Sequence, residues 1–143
     1  MTAHLPDWPT RTIAVLSTIG DGAHAIPVSA PLRAGADRIR LSLHRERESL
    51  ARLRARPQVA LTVLAEGDVA FTARGRAAVV LERMESDPRY AAVEIAVEHV
   101  DDHRQEAFRV EAGVDRSWVD EAEKRALGGR VAALGAQAAT ATP

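Results

Sequence analysis

The sequence has no cysteine, few aromatics, no long apolar run and no surplus of charge of one sign. Without cysteine, disulfides and thiolate metal sites are excluded. Aromatics make up 3% of the 143 residues, so a planar ligand would lie mostly against aliphatic groups and backbone. No apolar run approaches the roughly 20 residues that a bilayer span needs. The opening Met-Thr-Ala-His-Leu-Pro-Asp-Trp-Pro has no basic region ahead of an apolar run, so no secretory signal is expected. With 27% charged residues and a net charge of -1, neither nucleic acid nor an anionic membrane surface is expected as a partner. A soluble, cytoplasmic protein follows as the expectation. The length suits one domain with a real core and hardly two.

What the chain does have is alternation. The stretch from Arg38 to Leu64 changes period twice. Ile39, Leu41 and Leu43 alternate with Arg38, Arg40, Ser42 and His44, the pattern of a half-buried strand. Leu50 and Leu53 then fall three apart among charges, which suits a short helix with one apolar stripe. Pro57 ends it, and Val59, Leu61 and Val63 resume alternation. Strand, short helix, strand is the expected unit, with the helix closing one end of a sheet.

Around that unit the chain reads as strands. Arg11 to Ile19 is nearly continuous apolar, as in a strand covered on both faces. Gly20-Asp21-Gly22 turns it into a second strand, Ala23 to Leu32. Pro27 and Pro31 place that strand at an edge or a bulge. Glu66-Gly67-Asp68 closes another hairpin into a long strand, Val69 to Leu81, where Gly75 predicts a bulge or a close backbone approach. Ala92 to Val100 is a further strand, and Ala107 to Ala112 a last short one with Phe108 and Val110 inward. Asp120 to Arg125 runs from acidic to basic, as suits a helix dipole; Gly128-Gly129 is expected to break or end that helix, with its extension through Arg130 to Leu134 as the alternative. Residues 1–134 thus read as one domain, and 135–143 as a flexible tail. His99 and His103 bracket a turn rather than a helical face, so no metal site is expected. His44, at the end of its strand, is a candidate proton donor.

From Thr12 to Val80 this order resembles the FMN-binding split-barrel family typified by pyridoxamine 5'-phosphate oxidase. The resemblance rests on four stretches: Gly20-Asp21-Gly22, then Ile26-Pro27-Val28, then Leu53-Arg54-Ala55-Arg56-Pro57-Gln58-Val59-Ala60-Leu61, then Arg74-Gly75-Arg76-Ala77. It implies a mostly β fold: a small antiparallel split barrel with a helix between strands three and four and a C-terminal helix. It also implies a homodimer with flavin sites between the subunits, acting as an FMN-dependent oxidoreductase on a small organic substrate. Pro27, Val28, Ser29, Ser42 and Leu43 match the positions along the flavin ring. The resemblance puts the flavin phosphate near the start of the short helix, with Arg45, Arg47, Ser49 and Arg52 as the candidates to hold it. There the family's Ser-Arg-Lys triplet is replaced by Arg47-Glu48-Ser49. A deazaflavin enzyme, or a cofactor-free or haem-binding barrel, are the alternatives.

Overall fold

The computed structural model describes the backbone of residues 4–141 and the side chains of residues 4–136. Seven strands and two helices follow in the order β1 (Ile13–Thr18), β2 (His24–Ser29), β3 (Leu32–Gly35), β4 (Arg38–His44), α1 (Glu48–Ala55), β5 (Gln58–Ala65), β6 (Val69–Leu81), β7 (Tyr90–Asp102) and α2 (Glu121–Ala141). The strands form one sheet in the order β2-β1-β5-β6-β7-β4-β3. Every pairing is antiparallel. The alternation in the sequence sets the inner face. Leu16, Ile39, Leu41, Leu61, Val63, Ala73, Val93 and Ile95 are all buried, and Leu50 and Leu53 of α1 join them in one core. The outer face of β1 is open, with Val15 exposed, so the apolar run there is covered on one face only within the chain.

The sheet curls until its two ends nearly meet. β2 and β3 lie at opposite edges of the sheet yet are joined by only Ala30 and Pro31. The expected second strand, Ala23 to Leu32, is therefore two strands. Ala30 takes φ 52, a left-handed conformation that costs a residue with a Cβ and turns the chain from one edge to the other. Three bonds hold this step: Ala30 N–H donates to Thr12 O at 2.9 Å, Thr12 Oγ1 donates to Pro9 O at 2.6 Å, and Trp8 Nε1 donates to Pro31 O at 2.8 Å. Trp8 also packs on Phe71, with ring centres 5.6 Å apart. Pro27 sits on an edge strand, as its missing donor requires.

Because of that split, α1 follows the fourth strand rather than the third. β4 and β5 are not neighbours: β4 pairs with β7, and β5 lies between β1 and β6. α1 crosses between them, touches β1, β4 and β6, and closes that end of the sheet.

Three further expectations change. Residues 107–112 form no strand: Phe108 is exposed, and Val110 bonds instead to the hairpin turn, accepting from Asp68 N–H and donating to Asp68 Oδ1. The α2 helix does not stop at Gly128-Gly129 but runs to Ala141. Leu127, Arg130 and Leu134 fall on one face of it and are buried, and that docking offsets the low helix propensity of glycine. Residues 135–141 continue this helix, while 142–143 lie outside the described residues. Asp120 caps α2, its Oδ1 accepting from Ala122 N–H at 2.9 Å. Among the described residues no helix is long and apolar enough to cross a membrane.

Gly128 and Gly129 offer a direct check on α2. A Cβ at either position would meet nothing within 4 Å. Gly128→Ala and Gly129→Ala are each expected to raise stability by about 0.5–1 kcal/mol, read from urea denaturation.

Candidate functional site

The seam between β2 and β4, together with the start of α1, gathers the residues singled out in the sequence. On β2, Pro27 is exposed, Val28 is buried and Ser29 is half-buried. On β4, Ser42 is half-buried on the outer face, whereas Leu43 faces the core at 2% exposure. Leu43 therefore cannot line an external ring: Ser42 and Leu43 alternate, and only one of them can face outward. Both serines are already engaged. Arg116 Nη1 donates to Ser29 Oγ at 2.8 Å, and Arg130 Nε donates to Ser42 Oγ at 3.3 Å. The chain beyond β7 thus lies over this part of the seam.

At the start of α1, Arg45 and Arg47 are exposed and carry no ion pair among the described residues. Arg52 is different. Its Nε donates to Thr18 Oγ1 at 3.0 Å, Nη2 to Gly22 O at 2.9 Å, and Nη1 to Glu48 Oε2 at 3.4 Å. The guanidinium also lies flat on Gly20, where an added Cβ would come within 2.7 Å of Cζ. Glu48 Oε2 lies 3.4 Å from His24 Nε2, and His24 Nδ1 lies 3.3 Å from Thr18 Oγ1. Ser49 Oγ is buried and has no partner. Of the candidates for the phosphate end that the resemblance implies, Arg45 and Arg47 are open to solvent, Arg52 is committed to the first hairpin, and the Ser49 hydroxyl is buried.

His44 closes β4. Its Nδ1 accepts from Glu46 N–H at 3.2 Å, which leaves the ring proton on Nε2, and the ring meets Tyr90 edge-on at 5.2 Å. Tyr90 is in turn covered by Arg130, 3.7 Å above the ring centre. Arg130 Nη1 donates to Asp87 Oδ2 at 2.7 Å, and Arg89 donates to both oxygens of Asp87 and to Glu123 of α2. The hydrogen bonds from Arg89, with those from Arg130, hold the Asp87 carboxyl at about 2, down from its ordinary 3.8, against the opposing effect of burial.

This polar network was not legible in the sequence. Asp87 precedes proline and reads as a turn residue, and Arg130 follows two glycines that read as a break. The other histidine candidates fall elsewhere. His103 Nε2 shares a hydrogen bond with Thr72 Oγ1 at 2.8 Å on the outer face, and Arg74 pairs with Asp101 nearby.

Solved structures share this arrangement of strands. A Listeria innocua protein provisionally named a pyridoxamine 5'-phosphate oxidase superposes with a TM-score of 0.54 at 16% identity, over 66% of this chain and 90% of that one. A FAD-binding protein of Mesorhizobium loti matches with a TM-score of 0.51 at 14% identity, over 62% of this chain and 83% of the other. The fold is the split barrel of the pyridoxamine 5'-phosphate oxidase-like proteins. A third split barrel, an F420 reductase, matches with a TM-score of 0.53 at 11% identity, over 65% of this chain and 91% of its own. No protein-family model and no curated protein matches the sequence. Within this fold Leu43 and Ser49 are turned inward and Arg52 is tied to the first hairpin.

Proposed function

We propose that the chain is a split-barrel oxidoreductase that binds an isoalloxazine-type ring, a flavin or its deazaflavin analogue, against the β2–β4 seam. The observation that carries the reading is the seam itself. It sets β2, which carries Pro27 and Ser29, beside β4, which carries Ser42, in a fold that the FAD-binding protein and the F420 reductase share. When bound, such a ring would supply hydride chemistry for a small organic substrate. The chain's own contribution is to shape the seam: Arg116 and Arg130 bond the Ser29 and Ser42 hydroxyls and hold the chain beyond β7 over it.

A second copy of the chain belongs to this reading. Val15, Ile19 and Leu64 are 42%, 44% and 49% exposed on the outer face of β1 and β5, and Phe108, Val114 and Val119 are exposed on the segment ahead of α2. They make apolar surface that stands open in the single chain. A homodimer would cover it and wall the seam from the other side.

The arrangement at α1 bears on the phosphate monoester and not on the ring, so flavin and deazaflavin stay together in this reading. The test is the absorption spectrum of the purified protein, followed by titration with FMN, riboflavin and a deazaflavin, with light scattering for the mass. A dimer carrying one ring per chain is the expected result. A monomer that takes up none of the three would overturn the proposal.

A further inference from the structure

The start of α1 ought to be an anion site. The Arg47 side chain makes no capping bond, a helix start carries free N–H groups, and Arg45, Arg47 and Arg52 stand close in sequence. The chain fills that place with an anion of its own. Glu48, in the first turn, puts Oε2 3.4 Å from Arg52 Nη1 and 3.4 Å from His24 Nε2. Glu48 itself is 65% exposed, and the fixed member of the pair is Arg52. Arg52 is 13% exposed, bonded to Thr18 and Gly22, and packed on Gly20, so it cannot swing out to a ligand without breaking the first hairpin's link to α1. Ser49, next in the turn, offers its hydroxyl to the core and not to the surface.

We infer that Glu48 is a specificity residue: its carboxylate occupies the anion place at the start of α1 and bars a phosphate monoester from it. A dianionic phosphate there would meet the Glu48 carboxylate and would find Arg52 already bonded to Thr18 and Gly22. The ring of the proposed function is then recognised without a phosphate contact at α1. That consequence rests on the proposed function; the barred anion does not.

The two parts are separable by experiment. FMN and riboflavin are titrated, by quenching of ring fluorescence, into wild type, Glu48→Ala and Glu48→Gln. Inorganic phosphate is titrated separately while the side-chain Nε–H signal of Arg52 is followed by NMR. In wild type, FMN and riboflavin should bind within about two-fold of each other, and phosphate should leave Arg52 unmoved. In Glu48→Ala, FMN should tighten about ten-fold, one decade in Kd, with riboflavin unchanged, and phosphate should now move the Arg52 signal. Glu48→Gln keeps a hydrogen-bonding side chain without the charge. It should fall between the two and shows that the effect is not a loss of fold. Wild type binding FMN ten-fold or more tighter than riboflavin overturns the inference and leaves the proposed function standing. If neither ring binds, the proposed function fails, and the phosphate titration alone decides: a shift of Arg52 in wild type overturns the barred site.

Discussion

Gly75→Ala is expected to cost about 3 kcal/mol or more, the upper end of what an overpacked site costs. A Cβ built at Gly75 lies 2.0 Å from Ala96 O and 2.9 Å from Val97 Cα. Both are main-chain atoms of β7, so no side chain can turn aside. The register of β6 against β7 shifts between Arg74 and Gly75, and that bulge lets the long strand bend while its neighbour passes close. A methyl group there would force apart two central strands. The result to look for is a large fall in urea midpoint, or a protein recovered only as aggregate. An unchanged midpoint would mean that β6 and β7 are not so close.

Asp87→Ala is expected to cost about 3–5 kcal/mol, the usual consequence of stranding a buried charge. Arg130 and Asp87 are 7% and 5% exposed, and removing the carboxylate leaves the guanidinium with only Tyr90 and Ser42 among the described residues. Adding Arg130→Met to Asp87→Ala should recover most of the loss, because an apolar pair fills the space without a charge to desolvate. Urea denaturation of the single and double variants checks both statements. The pH dependence has a definite sign. Asp87 has a folded value near 2, below its ordinary 3.8. Its contribution is therefore complete above about pH 4 and is lost as pH falls toward 2; the shift corresponds to about 2 kcal/mol. Asp102 is also held at about 2, by Arg104, so wild type alone cannot assign the step. The difference between wild type and Asp87→Asn isolates it: the two stability curves should converge as pH falls through that window.

What could be read in advance follows from the range of the interactions involved. Strand alternation is local, so β4, β5, β6 and β7 showed through, and so did the bulge, because glycine in a strand has few other reasons to be there. The edge position of β2 followed from Pro27. The break at Ala30–Pro31 did not, because alanine seldom takes a positive φ and only the tertiary bonds from Thr12 and Trp8 hold it. α2 was misread at Gly128-Gly129 because its stability comes from the buried face of Leu127, Arg130 and Leu134 and not from its own propensity. At the candidate site, the positions in the chain placed residues on strands and helix but did not give their side-chain direction. Arg52 turns to a hairpin thirty residues back, Gly22, and Ser49 turns into the core; both depend on partners far away in sequence.

The two-residue step at Ala30–Pro31 also bears on the order in which the chain assembles. β5, β6 and β7 are successive and paired in sequence order, so their ladders close short loops and cost little chain entropy. β1 reaches β5 only by matching Val15 to Thr62, and β4 reaches β7 only by matching Leu41 to Val93. Those long closures come at opposite sides of the central meander, yet the strands that make them are tethered to each other through β2, β3 and the Ala30 corner. Docking one side therefore brings the other near. The corner acts as a kinetic tether, turning two independent searches into a single coupled one, in a topology whose non-local pairings would otherwise make folding slow.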